Sequence, residues 1–187
     1  MLDKLNLELA PNSKSKDHSH YILMDDISQE SCRSVIEWIF SANFAEERPE
    51  MLSLIISSGG GDLSAAFAVI DVMKGSAIPV RTIGLGEIAS AGLLIFMSGE
   101  KGQRVLTPNT SILSHQYSWG AFGKEHELFA RVKEYDNVTK RLLSHYKKCT
   151  GMKETKIKEV LLPPQDAWLT SAEALEYGIC DHVKDLY

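Results

Sequence analysis

The chain lacks most of the covalent and metal staples that hold small extracellular domains together. It has only three cysteines in 187 residues, Cys32, Cys149 and Cys180. That number is odd and no CxxC pair occurs, which excludes a disulfide framework and a cysteine-rich zinc site. Reduced thiols acting as core filler in a cytoplasmic protein are expected instead. His18 and His20 stand in a polar stretch and are read as solvated residues, so no metal and no cofactor is expected. Long hydrophobic runs are missing too: none approaches the ~18–20 residues of a membrane span. The opening MLDKLNLELAPNSKSKDHSH has no continuous apolar segment, so neither a secretory signal nor a membrane partner is expected. Basic tracts are absent, and 25 acids against 20 Lys+Arg leave a net charge of −5, which argues against nucleic acid as a partner. No Gly-Lys-Ser/Thr follows a glycine-rich loop, and neither G-x-G-x-x-G nor Gly-x-Ser-x-Gly occurs. The phosphate loop of nucleotide hydrolases, the dinucleotide fingerprint and the α/β-hydrolase elbow are therefore all absent.

What is present reads as one α/β domain. A chain of this length buries roughly 70% of its unfolded surface without staples. Residues 1–19 are polar and expected to be flexible; residues 20–187 are expected to form a single domain. A short strand is predicted at 21–24. Apolar residues from Ile27 to Phe40 then recur at helical spacing, with Asp26 or Ser28 as the cap. MLSLIIS at 51–57 is nearly continuous in apolar residues, as in a parallel strand buried on both faces. A helix follows over about 62–74, a strand over 79–85, a helix over 89–97, and strands near 104–106 and 111–114. This alternation is that of a parallel sheet with right-handed crossovers. From Leu128 a strip through Val132, Tyr135, Thr139, Leu142 and Tyr146 steps by four and three, predicting a helix over about 124–149. The strip packs either on its own domain or on a second subunit.

Four constellations could carry chemistry. Ser57-Ser58-Gly59-Gly60-Gly61-Asp62 joins a buried strand to a helix, so its N–H groups form either a plain tight turn or a cradle for an anion. Ser90, in Gly86-Glu87-Ile88-Ala89-Ser90-Ala91-Gly92, stands at a second strand-to-helix turn, as a cap or as a presented hydroxyl. His115 ends an apolar strand. Asp166 precedes a short helix after Pro163-Pro164-Gln165. Alone, each has an ordinary structural reading. Together they contain the nucleophile, base, orienting acid and oxyanion donors of acyl transfer by serine.

In this order the pieces resemble the Clp protease proteolytic-subunit (ClpP) family. SSGGGDLSAAFAVIDVM is similar to the family's Ser-Pro-Gly-Gly loop and helix, and GEIASAG to its nucleophile turn. SILSHQYSWGAFG is similar to its His-Gln-Pro strand, and DAWLTSAEALEYGICDHV to its acid segment and last helix. The likeness runs from about Tyr21 to the C-terminus. Gly59 stands where the family has Pro, Tyr117 where Pro follows His-Gln, and Pro164-Gln165 where a charged pair with Arg precedes the acid.

The resemblance implies a ClpP/crotonase-type α/β fold of repeated ββα units with a long protruding handle helix. It implies Ser90 as nucleophile, His115 as base, Asp166 as orienting acid, and the N–H groups of Gly61 and Ala91 as oxyanion donors. Substrate would lie as an added strand between segment 60–63 (Gly60, Asp62, Leu63) and segment 118–122 (Ser118, Trp119, Gly120). The implied activity is endopeptidase cleavage of unfolded polypeptides in a chamber of two seven-membered rings, a tetradecamer of this chain alone or mixed with related subunits. Residues 1–19 would be its axial loop. The partner implied is a separate AAA+ unfoldase, a Clp ATPase, because this chain has no ATP-binding motif. Two alternatives are a crotonase-like acyl-CoA enzyme and a non-catalytic ring subunit modulating a related protease.

Overall fold

The structure is a computed structural model that describes residues 18–186. In chain order its elements are β1 (His18–Leu23), α1 (Gln29–Asn43), β2 (Met51–Ser58), α2 (Leu63–Gly75), β3 (Val80–Ala89), α3 (Ser90–Met97), β4 (Arg104–Leu106), β5 (Ser111–Ser114), α4 (Glu125–Thr150), α5 (Glu154–Val160), β6 (Ala167–Leu169), α6 (Ser171–Glu176) and β7 (His182–Val183). The main sheet runs β1-β2-β3-β4-β7 with every pair parallel, while β5 pairs with β3 in parallel and with β6 antiparallel. This is the expected α/β architecture.

Most of β2 is buried because both of its faces are covered. Leu52, Leu54 and Ile56 join the main core with helices α1–α3, and Ile55 joins a small second cluster with Ile83 and Val105. Ser28 rather than Asp26 caps α1: its Oγ accepts from the Ser31 N–H at 3.1 Å, and Ser31 Oγ accepts from the Ser28 N–H at 3.0 Å. β1 begins at His18, three residues before the expected strand and inside the segment expected to be flexible; positions 1–17 lie outside the described residues.

β3 departs most from the sequence-based expectation, running to Ala89 instead of stopping at Leu85. Between the pairs Ile56–Gly84 and Ser58–Ile88, β3 advances four residues against two on β2. Gly86, at φ +61, takes up that excess in a left-handed conformation that glycine adopts without a Cβ penalty. Before the bulge β3 pairs with β4; beyond it, with β5. One strand therefore serves two neighbours on one edge, and its continuation delivers residue 90 to the end of β5.

α4 has two halves. Val138, Leu142, His145 and Tyr146 are buried in the chain's own core, whereas Leu128, Phe129 and Val132 are 37%, 68% and 50% exposed. The predicted strip is thus intramolecular below and uncovered above. A charge placed at Leu142 or Tyr146 would enter the core, so only the upper half of the strip can report on assembly. The base of α4 is fixed by Arg104, which donates to the Cys149 carbonyl at 3.0 Å and to both carboxylate oxygens of Asp181 at 2.6 and 2.9 Å. Burial would raise the Asp181 carboxyl, but the Arg104 guanidinium and the N–H groups of Arg104 and Gly102 outweigh it and hold it below the ordinary carboxylate range.

Candidate active site

Sheet register brings the three candidate residues together. In the parallel β3–β5 pair, Ala89 lies opposite Leu113, so Ser90 and His115 leave the sheet side by side. In the antiparallel β5–β6 pair, Ser114 lies opposite Ala167, so Asp166 stands across the next rung from His115. The outcome is a contact of 2.7 Å between His115 Nε2 and Ser90 Oγ, and 3.6 Å between His115 Nδ1 and Asp166 Oδ1. The first is a hydrogen bond; the second is ion-pair range and too long for a hydrogen bond. The Asp166 side chain is 61% exposed and that of His115 is 28% exposed.

Ser90 does not cap α3. Ala89 occupies the cap position, and Ser90 is the first helical residue at φ +53, the left-handed region. For a residue with a side chain this costs about 1–3 kcal/mol, a strain characteristic of functional turns. Gly60 touches that turn from the other side: a Cβ there would lie 2.7 Å from Ser90 Cβ and 3.0 Å from the Ala89 carbonyl oxygen. With φ at +102 as well, any side chain at residue 60 would displace the turn itself.

Gly61 forms an isolated parallel bridge with Ile27, in which Ile27 bonds to Gly60 O and to the Asp62 N–H. In that geometry the N–H and C=O of Gly61 point away from Ile27. A Cβ on Gly61 would collide with the Ile27 carbonyl, so the approach requires glycine. Ala91 lies in the first turn of α3, where a helical N–H has no intrahelical acceptor. Both residues line a cavity of about 320 Å³ with Ser90 and His115.

Of the expected substrate contacts, Asp62, Leu63 and Ser118 line this cavity. Gly60 is buried beneath the Ser90 turn. Trp119 and Gly120 are exposed and outside the cavity lining, Trp119 stacking on Tyr135 at 4.9 Å between ring centroids. Segment 115–122 forms no strand. Asp62 is also the cap of α2, its carboxylate accepting from the Ser64 and Ala65 N–H groups at 2.7 and 3.0 Å.

Leu94, Leu142 and Tyr146 form an apolar wall; the last two belong to the strip on α4, which nothing in the sequence tied to the site. Tyr146 adds a buried hydroxyl, bonded to Ser114 at 2.8 Å. Burial pushes its phenol up to about 12 despite the contact with Ser114, so it stays protonated and able to donate. A serine inside the apolar strand Ser111–Ser114 was the available signal, since a buried hydroxyl there demands a partner.

A serine held on a strained strand-to-helix turn within hydrogen-bond reach of a histidine is the nucleophile–base arrangement of a serine hydrolase. Comparison with known proteins narrows the class. A model of the Clp protease family matches residues 11–186. An ATP-dependent Clp protease proteolytic subunit 2 of Nocardia farcinica is 32% identical over 160 residues, covering 85% of this chain and 75% of that protein. Its namesake in Thermobifida fusca is 35% identical over 139 residues, covering 74% and 68%. An ATP-dependent Clp protease proteolytic subunit of Paracoccus denitrificans is 35% identical over 139 residues, covering 74% and 69%. The chain belongs to the Clp protease family, and it is a protease. No helix among the described residues is long and apolar enough to cross a membrane.

Proposed function

We propose that the chain is a serine endopeptidase in which Ser90 is the nucleophile, His115 the general base and Asp166 the acid that orients it. The observation that carries this reading is the 2.7 Å contact between His115 Nε2 and a serine held at positive φ. Ser90 Oγ attacks the scissile carbonyl carbon while His115 Nε2 takes its proton. The carbonyl oxygen becomes an oxyanion between the N–H groups of Gly61 and Ala91. His115 then passes the proton to the leaving amine as the C–N bond breaks. Water, deprotonated by the same nitrogen, releases the acyl group and restores Ser90. Substrate is held as an extended strand along the outward edge of Gly61, with Asp62, Leu63 and Ser118 flanking it, so main-chain bonds dominate and sequence preference is weak.

A fluorophosphonate probe tests the assignment: it should add one equivalent at Ser90, and peptide mapping should find no label on Ser57, Ser58 or Ser64. The acyl-CoA alternative needs the two N–H groups but not the Ser–His contact. Thermal stabilisation by CoA thioesters, with Ser90 unlabelled, would select it instead.

The reading extends to assembly. The relatives are named ATP-dependent subunits, and this chain has no ATP-binding motif, so an AAA+ unfoldase on another chain supplies unfolded polypeptide. The chamber is made of seven-membered rings, of this chain alone or with related subunits, and the exposed upper half of α4 meets the opposite ring. Replacing Phe129 and Val132 together by Asp should lower the particle mass in light scattering to single rings or smaller. The buried half of α4 stays intact, so helix content should not change. An unchanged mass would remove the handle from the ring contact.

A further inference from the structure

The loop that carries Asp166 is tied down on both sides by β5 and the residues that continue it through His115. On one side is the β5–β6 ladder, with Ser114 opposite Ala167. On the other are two side-chain bonds that flank His115 in sequence. Ser114 Oγ donates to the Leu161 carbonyl at 2.5 Å, and Gln116 Nε2 donates to the Leu162 carbonyl at 3.0 Å. Only Pro163, Pro164, Gln165 and Asp166 lie between these anchors, and the two prolines stiffen the span. Ser114 has one proton, and the bond to Leu161 uses it. The 2.8 Å contact with Tyr146 therefore has the phenol as donor and Ser114 Oγ as acceptor. Tyr146 thus points the Ser114 proton at Leu161 and no other way, and Ser114 itself is fully buried.

From this arrangement the structure assigns Ser114 as a positioning residue for the reaction: it sets the reach of Asp166 to His115 by holding Leu161, with Tyr146 orienting its hydroxyl and Gln116 as a second tie. The inference rests on the roles given above to Ser90, His115 and Asp166. Asp166 is 61% exposed and 3.6 Å from Nδ1, so the loop anchors set that distance. Ser114 and Gln116 are outside the lining of the substrate cavity, and Tyr146, which is part of it, keeps its place in the main core, so loosening the ties should disturb turnover more than binding. Misplacement of ~1 Å at a reacting centre can cost about 100-fold, so a loop released by roughly half that costs about tenfold.

The test is a double-mutant cycle on the full, assembled protein, with active subunits counted by fluorophosphonate titration. Ser114→Ala should lower kcat for a short peptide about tenfold and leave KM within about twofold. In an Asp166→Asn background the same change should cost no further kcat, because Ser114 acts only through Asp166. A purely structural serine would lower kcat equally in both backgrounds, and that outcome overturns the inference, as does a folded Ser114→Ala enzyme with kcat within about twofold of normal. Should Ser114→Ala fail to fold, Gln116→Ala decides, since residue 116 is exposed. A loss of about threefold that vanishes with Asp166→Asn supports the ties. No loss, or one that persists, refutes them. Asp166→Asn at full kcat would remove the acid assignment itself and this inference with it, whereas a slow Asp166→Asn with an unaffected Ser114→Ala sinks the inference alone.

Discussion

Ser90→Ala and His115→Ala will each lower peptide turnover by about 10⁶-fold, and the double variant will be no slower than either single one. The equality is the informative part. Oγ is a nucleophile only while a base takes its proton, so removing either group removes the same step. On the proposed assignment, what survives comes from the Gly61 and Ala91 N–H groups and from binding, neither of which the substitutions touch. Structural damage should be small. The Ser90 side chain is half-buried and does not cap α3, and alanine tolerates the left-handed conformation no better and little worse than serine. KM should stay near normal in both, because the cavity wall of Leu94, Leu142 and Tyr146 is intact. The measurement is single-turnover peptide cleavage with intact-mass detection of an acyl-enzyme. Cleavage by Ser90→Ala within about tenfold of normal would place the nucleophile elsewhere.

The extent to which this site is legible in the sequence differs from residue to residue. The apolar run of β2 and the glycine loop after it state their local structure directly, a strand covered on both faces and then a tight turn, whereas the close approach of Gly61 to Ile27 is a tertiary contact that the sequence does not show. Ser90 and His115 stand 25 positions apart, and no local pattern joins them. Their order among the other motifs resembles a family, and the reason they meet is the register Ala89–Leu113, a property of strand pairing. The extension of β3 to Ala89 was hidden because Gly84 and Gly86 look like a strand end, yet Gly86 absorbs a bulge within a continuing strand. The periodicity of α4 showed which residues share a face but not where that face passes from core to solvent. Trp119 and Gly120 were expected along an extended substrate edge; in the structure the Trp119 ring stacks on Tyr135 of α4, a partner that no local pattern announces. The Ser114 hydroxyl was least legible, since its partners are 32 and 47 residues away.

Asp166→Asn should fold, assemble and lose about 100-fold in turnover, well short of the ~10⁴-fold that the same change costs where a triad aspartate is buried and hydrogen-bonded to its histidine. Two observations set the smaller figure. The carboxylate is 61% exposed, and its 3.6 Å separation from His115 Nδ1 is longer than a hydrogen bond. Water therefore shares the work of stabilising the imidazolium, and the lost Coulomb attraction is screened. The remaining loss comes from orientation: an asparagine amide facing Nδ1 favours the tautomer with the proton on Nε2, where it cannot accept from Ser90. High salt should narrow the gap between the two enzymes, since it screens the native carboxylate and leaves the neutral amide unaffected. Asp136→Asn is the proper control, on the exposed half of α4. Asp181→Asn is a poor one, because it strips the buried Arg104 of its charge partner and weakens the base of α4. The comparison therefore needs thermal melting beside kcat. Asp181→Asn should lower the melting temperature and Asp166→Asn should not. Turnover by Asp166→Asn within about twofold of normal, with Asp136→Asn equally active, would show that His115 takes its orientation from another group.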